Sequence, residues 1–240
     1  MLFEVNGLSK RFGPIAALHD VAFRVQANEI LGLIGPNGAG KSTLFECLAG
    51  VLASDSGELR AGGAPVAVGE RSSILYYVPD GIAPWPEQSV RWALDFTIGF
   101  LGGRASLREE IVEQLDLGPL LRQRIGALSK GQRKRVLLGI GLLTRQPVLL
   151  IDEPFEGLDL RQARDVAAAL RTHVSRGRTL FLSIHQIREA ERLCDRFVLL
   201  SGGKVCGEGT VPELAALAGS RDASATEQKQ NLEEVFLALT

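Results

Sequence analysis

The sequence predicts an α/β fold built on a sheet that helices cover on both faces. Three observations carry this. Short runs that are apolar throughout, Val148 to Ile151 and Thr179 to Ser183 among them, lack the alternation of a half-exposed sheet and read as buried parallel strands. Amphipathic stretches such as Lys130 to Leu143 and Gln162 to Val174 alternate with those strands. Finally, Gly35-Pro36-Asn37-Gly38-Ala39-Gly40-Lys41-Ser42-Thr43 joins a strand to a helix through a glycine-rich turn. At 240 residues the chain can bury one substantial core and a small satellite.

The elements follow in order. Leu2 to Val5 and Leu18 to Val25 read as short strands joined by a polar loop that holds Phe12. Glu29 to Ile34 is the strand that enters the glycine-rich turn, and Ser42 to Ala49 is the helix that leaves it. Ser56 to Arg60 is a short strand followed by a turn at Ala61 to Gly63. Ile74 to Val78 is a strand that ends at Pro79, and Gly81, Pro84 and Pro86 make Asp80 to Pro86 a loop. From Ser89 to about Ile125 the pattern turns helical, with Leu107, Ile111, Leu115 and Leu117 on one face and Glu109, Glu110, Glu113 and Gln114 toward solvent. The α/β rhythm then returns through Ile187 to Leu193, a helix, and Arg196 to Leu200, a strand before the Ser201-Gly202-Gly203 turn. Val211 to Ala218 reads as a short helix, Gly219 to Gln230 as a polar loop, and Leu232 to Leu239 as a terminal helix with Leu232, Val235, Phe236 and Leu239 on its apolar side.

Composition excludes several classes. A net charge of -1 argues against a generally basic surface, so no nucleic acid is expected as a partner. The three cysteines, Cys47, Cys194 and Cys206, lack metal-ligand spacing, and their odd number without a signal peptide fits a reducing compartment. Met1 to Lys10 has no apolar stretch behind a basic start, which argues against secretion. The closest approach to a membrane span, Trp92 to Leu101, is interrupted by Asp95 and too short to cross a bilayer. Any membrane link is therefore expected to come through a partner.

The glycine-rich turn matches G-x-x-x-x-G-K-[ST] between a strand and a helix, the context that pattern needs. Its glycines let successive backbone N–H groups face phosphate oxygens, and the helix start adds free amides and a positive dipole end. Lys41 is placed to reach the β- and γ-phosphates of a nucleotide and Ser42 to ligate Mg²⁺. Val148 to Ile151 ends in Asp152 and Glu153. Two acids can simply end a strand before Pro154, but a phosphate loop needs a carboxylate partner for Mg²⁺. Asp152 is the candidate, and Glu153 is one residue on, where it can polarise a water aimed at the γ-phosphate.

On these motifs the chain resembles the nucleotide-binding subunit of an ATP-binding cassette (ABC) transporter over nearly its whole length. Leu128-Ser129-Lys130-Gly131-Gln132 resembles the family signature L-S-G-G-Q, with lysine in place of the first glycine of the pair. Ser129 and Gly131 begin a helix, so a hydroxyl, amides and a dipole end can face a phosphate, the same geometry as an ordinary serine cap. The resemblance implies further roles. Asp159, in Gly157-Leu158-Asp159, supports contact between two cassettes; His185, after its strand, senses the γ-phosphate; Phe12 stacks on adenine. One position departs from the family: the loop after Val78-Pro79 commonly carries a glutamine that touches Mg²⁺ and the water, and this chain has Asp80. A carboxylate there can still bind metal but lacks the amide donor. Ile82, Trp85 and Trp92 beyond it are either anchors for a membrane subunit's cytoplasmic helix or packing within the helical segment.

The resemblance implies a P-loop NTPase fold of the ABC ATPase type, a mixed and mainly parallel sheet core with a small antiparallel β part and an inserted helical subdomain. It divides the chain into core 1–86 and 136–210, helical subdomain 87–135 and C-terminal helical tail 211–240. It implies ATP and Mg²⁺ as ligands, a second cassette whose Ser129, Gly131, Gln132 and Asp159 face the phosphate loop across a head-to-tail pair, integral membrane permease subunits, and a place on the cytoplasmic face of the membrane. The Arg192-Leu193-Cys194-Asp195-Arg196 and Leu232-Glu233-Glu234-Val235-Phe236 stretches most resemble ATPases of ABC-2 type exporters. Soluble cassette ATPases acting on DNA or ribosomes are the rival reading. Those carry a long coiled coil, zinc-binding cysteines or two cassettes per chain, none of which the sequence contains. A module that holds ATP without turnover is the other rival, and the presence of Glu153 and His185 speaks against it.

Overall fold

The computed structural model describes residues 2–219 and 231–240. The chain opens on a long hairpin, Phe3–Phe12 (β1) and Ile15–Val25 (β2), paired antiparallel from Phe3↔Val25 to Phe12↔Ile15. This corrects the expectation of two short strands around a polar loop: Phe12 ends β1 rather than standing in a loop. An antiparallel sheet can leave one face in water, so Asn6 and Arg11 stay in the strand although they are polar. Gly7 and Asp20, both at positive φ, lie where the register shifts. Next come Ile30–Ile34 (β3) and Lys41–Ala49 (α1). Ser56–Ala61 (β4) then pairs with β1, and Ala64–Pro65 (β5) with β4, which completes a four-stranded sheet in the order β2-β1-β4-β5.

A single turn, Arg71–Ile74 (α2), leads into Leu75–Val78 (β6). The helical stretch breaks into Val90–Phe100 (α3) and Arg108–Gln114 (α4), with short 3₁₀ turns at 105–107, 118–120 and 125–127. Left-handed turns at Gly102 (φ 66) and Asp116 (φ 48) mark the breaks. Lys130–Leu143 (α5) runs unbroken from its Ser129 cap, so the expected boundary between residues 135 and 136 falls inside a helix. Then follow Val148–Asp152 (β7), Leu160–Ser175 (α6), Thr179–Ile184 (β8), Ile187–Leu193 (α7) and Arg196–Ser201 (β9). Lys204–Gly209 (β10) is a strand that sequence reasoning missed; only alternate residues of it are buried. Val211–Gly219 (α8) and Leu232–Leu239 (α9) close the described chain. The loop expected over Gly219 to Gln230 lies, after Gly219, outside the described residues.

The second sheet has the order β10-β9-β3-β8-β7-β6, parallel except for the β10 edge. Its buried strands split their side chains with period two. Ile30, Leu149, Ile151, Leu180 and Leu182 face a core shared with α3 to α9, while Leu31, Leu33, Leu150 and Phe181 face a core shared with the hairpin and α1. Registers align the carboxyl ends of four strands, with Ile34 beside Ile184, Ser183 beside Asp152 and Ile151 beside Val78. The segments leaving β3, β8, β7 and β6 therefore emerge along one edge, the usual place for a ligand in an open α/β sheet. Among the described residues no helix is long and apolar enough to cross a membrane.

Phe181 joins the two sheets. Its ring is fully buried, with centroids 5.3 Å from Phe23 and 4.9 Å from Phe45. Phe181→Ala should destabilise the protein by about 3–5 kcal/mol in urea unfolding; a change below about 1 kcal/mol would show that the hairpin sheet does not depend on this contact.

Candidate nucleotide-binding site

The phosphate-loop segment leaves β3 at Gly35. A Cβ there would stand 2.3 Å from the Leu200 carbonyl oxygen of the neighbouring strand, so only glycine lets the chain turn out of the sheet at this point. The next turn ends at Gly40, whose φ of 104 is left-handed and where a Cβ would lie 2.5 Å from Ala17 O. α1 starts at once, with the Leu44 amide donating to Gly40 O, and the amides of its first turn have no partner within the helix. Lys41 is buried and donates to the carbonyls of Gly35 at 2.8 Å and Pro36 at 3.3 Å. Burial lowers its pKa, opposed by the charges of Glu153 and then Asp152.

Asp152, at the buried end of β7, accepts from three hydroxyls. Ser42 Oγ donates to its Oδ2 at 2.7 Å, Tyr77 Oη to the same oxygen at 3.4 Å, and Ser183 Oγ to its Oδ1. Burial first, and then the Asp152 charge, push the Tyr77 pKa up, so its hydroxyl stays a donor. The next residue, Glu153, has φ 49, a left-handed conformation rare outside glycine and asparagine. Its amide donates to both Ser183 O at 3.2 Å and Ser183 Oγ at 3.0 Å. Burial raises the Glu153 pKa to about 7, with Lys41 pulling it down and Asp152 pushing it up.

Asp80 leaves β6 on the same edge, and Lys134 of α5 meets it. Lys134 Nζ lies 2.5 Å from Asp80 Oδ1, a charge contact off hydrogen-bond alignment, and donates to the backbone oxygen of Asp152 at 3.0 Å. Burial works upward on the Asp80 carboxyl, but the Lys134 ammonium and the adjoining Glu156 outweigh it and hold the pKa below the usual range.

These groups surround a cavity of about 430 Å³ lined by Ala17, Pro36, Asn37, Gly38, Gly40, Lys41, Ser42, Thr43, Asp80, Asp152, Glu153, Glu156 and His185. His185 stands exposed one residue beyond β8. Gly35 and Ala39 support the loop from beneath, Gly35 through its carbonyl and Ala39 by accepting from the Gly203 amide. The remaining candidates lie outside this lining. Phe12 is 48% exposed at the end of β1 with Lys10 Nζ 5.5 Å from its ring centre. Ser129 caps α5 in a reciprocal box with Gln132, accepting from its amide at 3.3 Å. Gly131 packs so tightly on Gly157 that a Cβ would lie 2.4 Å from its carbonyl oxygen. Asp159 caps α6 and faces a separate polar groove with Arg135 and Asp165. Sequence reasoning missed Tyr77, Ser183, Lys134 and Glu156. Only the strand register, which sets Ser183 beside Asp152, exposes such partners.

A phosphate loop at the head of a parallel sheet, with a hydroxyl and a carboxylate paired across its cavity, defines a P-loop nucleotide-binding protein. The family model described as ABC transporter matches residues 18–156. The chain is 34% identical over 217 residues to Nod factor export ATP-binding protein I of Rhizobium etli, covering 88% of this chain and 69% of that protein. It is 34% identical over 224 residues to the daunorubicin resistance ATP-binding protein DrrA3 of Streptomyces coeruleorubidus, covering 90% and 70%. A solved ATP binding subunit of an ABC transporter superposes with a TM-score of 0.87 at 28% identity, covering 100% of this chain and 99% of that one. A nucleotide-free ATP-binding cassette at 22% identity and TM-score 0.76 shares the fold. The chain belongs to the ABC transporter family, as an ATP-binding subunit.

The raised pKa gives a direct check. In the nucleotide-free protein Glu153 should be mainly protonated at pH 6 and mainly ionised at pH 8, visible as a midpoint near 7 in NMR of ¹³C-glutamate. Lys41→Met removes the attraction that favours the anion and should move the midpoint higher. A midpoint at the ordinary glutamate value of about 4.3 would contradict the burial assigned to this group.

Proposed function

We propose that this chain hydrolyses ATP to drive a separate membrane permease, in the direction of export, as an ABC-2 type ATPase. The observation that carries hydrolysis is the Ser42–Asp152 pair beside Glu153 at one cavity edge. Ser42 Oγ and Asp152 Oδ2 are hard oxygen donors held side by side, which suits Mg²⁺, an ion that keeps water and phosphate oxygens as its other ligands. Asp80 lines the same cavity, but its carboxylate pairs with Lys134, which leaves the metal to Ser42 and Asp152. Bound Mg²⁺ supplies charge that offsets the negative phosphate oxygens of the transferring group.

The chain's own groups do the rest. Amides of residues 38–43 cradle the phosphates, and Lys41 turns from the loop carbonyls to the β- and γ-oxygens. Glu153, poised near neutral pKa, accepts a proton from the attacking water. His185 holds the γ-phosphate from the far side. Phe12, exposed at the turn end of the β1–β2 hairpin, stacks on the adenine. Ser129, Gly131, Gln132 and Asp159 lie outside their own cavity, which supports their use by a second copy in a head-to-tail pair of C₂ symmetry. There the α5 start would present the Ser129 hydroxyl and its positive dipole end to the partner's γ-phosphate.

The permease surface is read from α3, in the helical subdomain. Trp92, Phe96 and Phe100 stack in sequence with centroids 4.9 Å apart, and Trp85 meets the first two edge-on. Trp85 is half-buried against the core, whereas Trp92 is 38% and Phe100 75% exposed. Trp85 packs inward, and the exposed α3 stripe supports docking of a cytoplasmic helix of a permease, with the subunit at the cytoplasmic membrane face. Export rests on the relatives named for Nod factor export.

Glu153→Gln should abolish ATP turnover while ATP binding persists, and should trap a nucleotide-dependent dimer on size exclusion. Unchanged turnover would remove Glu153 from its role. Purification from detergent-solubilised membranes should recover a polytopic partner; recovery with ribosomes or DNA instead would contradict a transport function.

A further inference from the structure

The peptide between Asp152 and Glu153 is held at both ends. Its N–H donates to Ser183 O and Oγ, and its carbonyl accepts from Lys134 Nζ at 3.0 Å. Glu153 needs such support. At φ 49 it occupies a region that glutamate does not favour, so its carboxylate points into the cavity only while the surroundings impose that backbone. Ser183 is part of the sheet and moves with it. Lys134 is different, because its side chain is only 2% exposed yet its second partner, Asp80, belongs to a loop. That loop runs through Ile82 to Trp85, which meets the α3 aromatic stripe edge-on.

We propose that Lys134 is a positioning residue that joins the Asp80 loop to the Asp152–Glu153 peptide, so that the loop's position sets the aim of the general base. The inference rests on the hydrolytic reading of Glu153 given above. It also accounts for the carboxylate at position 80. Buried, with the Asp152 carbonyl as its one hydrogen-bond acceptor, the Lys134 ammonium needs an anionic partner, and Asp80 meets that need where a neutral glutamine would not. Displacing the loop draws Asp80 away, leaves Lys134 without its counter-charge and weakens its hold on the Asp152 carbonyl. Lys134 does not line the nucleotide cavity. Its removal must therefore reach turnover through Glu153 and leave nucleotide affinity alone.

The test compares Lys134→Met, Lys134→Arg, Asp80→Asn, the double variant Lys134→Met/Asp80→Asn, and Glu153→Gln in the full chain, reading kcat, KM and ATP affinity with Mg²⁺. Lys134→Met should lower kcat by about 10- to 100-fold with KM and ATP affinity within about twofold. Lys134→Arg, which keeps the charge and the donors, should recover most of that loss. Asp80→Asn should lower kcat less, and the double variant should match Lys134→Met alone, because Asp80 acts through Lys134. Retained ATP affinity reports that each variant is folded. Normal kcat in Lys134→Met beside an inactive Glu153→Gln would overturn this inference alone. So would additive losses in the double variant, or an equal loss of ATP affinity and kcat. Full turnover by Glu153→Gln would instead remove the hydrolytic reading beneath it.

Discussion

The carboxylate of Asp152 is the contact on which the site depends. A charge at the buried end of a strand must be met by donors, and three segments that are distant in sequence supply them: Ser42 from the start of α1, Tyr77 from β6 and Ser183 from β8. Hydrogen bonds to a charged group contribute about 1.5–3 kcal/mol each, so the cluster fixes relative positions as well as satisfying the charge. Its backbone oxygen adds a fourth link, to Lys134 on α5. Phosphate loop, acidic strand and the helix that starts at Ser129 thus meet at one residue.

The rest of the architecture serves that convergence. Period-two strands give the sheet two cores, and a sheet packed on both faces is stiff enough to hold its carboxyl ends level. The left-handed turn at Glu153 is held there because its peptide is bonded on both sides, to Ser183 of the sheet and to Lys134 of α5. Outward from the site, the Asp80 loop runs to Trp85, which meets the aromatic stripe of α3 at the surface. The nucleotide site and the proposed permease surface are therefore joined by one short loop.

What the sequence made legible was local. Gly35 to Thr43 declares itself because strand, turn and helix are consecutive, and Asp152-Glu153 because two acids close a purely apolar run. Ser183, Tyr77 and Lys134 were hidden for the opposite reason. Each meets Asp152 only through strand register or helix packing, which short windows do not encode. The full length of the β1–β2 hairpin is hidden in the sequence because an exposed antiparallel face tolerates polar residues that resemble loop. Ser129 and Asp159 stood out only by family resemblance, since in a single chain both are ordinary helix caps. At Asp80 the departure from the family was visible, but its compensating lysine, 54 residues later in the chain, was not.

The central claim, that Asp152 and Ser42 together form the Mg²⁺-dependent centre of this fold, has a direct measurement. Titration calorimetry of ATP binding, with and without Mg²⁺, compares the native chain with Asp152→Asn. The native chain should bind ATP more tightly when Mg²⁺ is present, and Asp152→Asn should lose that increment while keeping its metal-free affinity. An Asp152→Asn chain whose ATP binding is still strengthened by Mg²⁺ to the native extent would contradict the account.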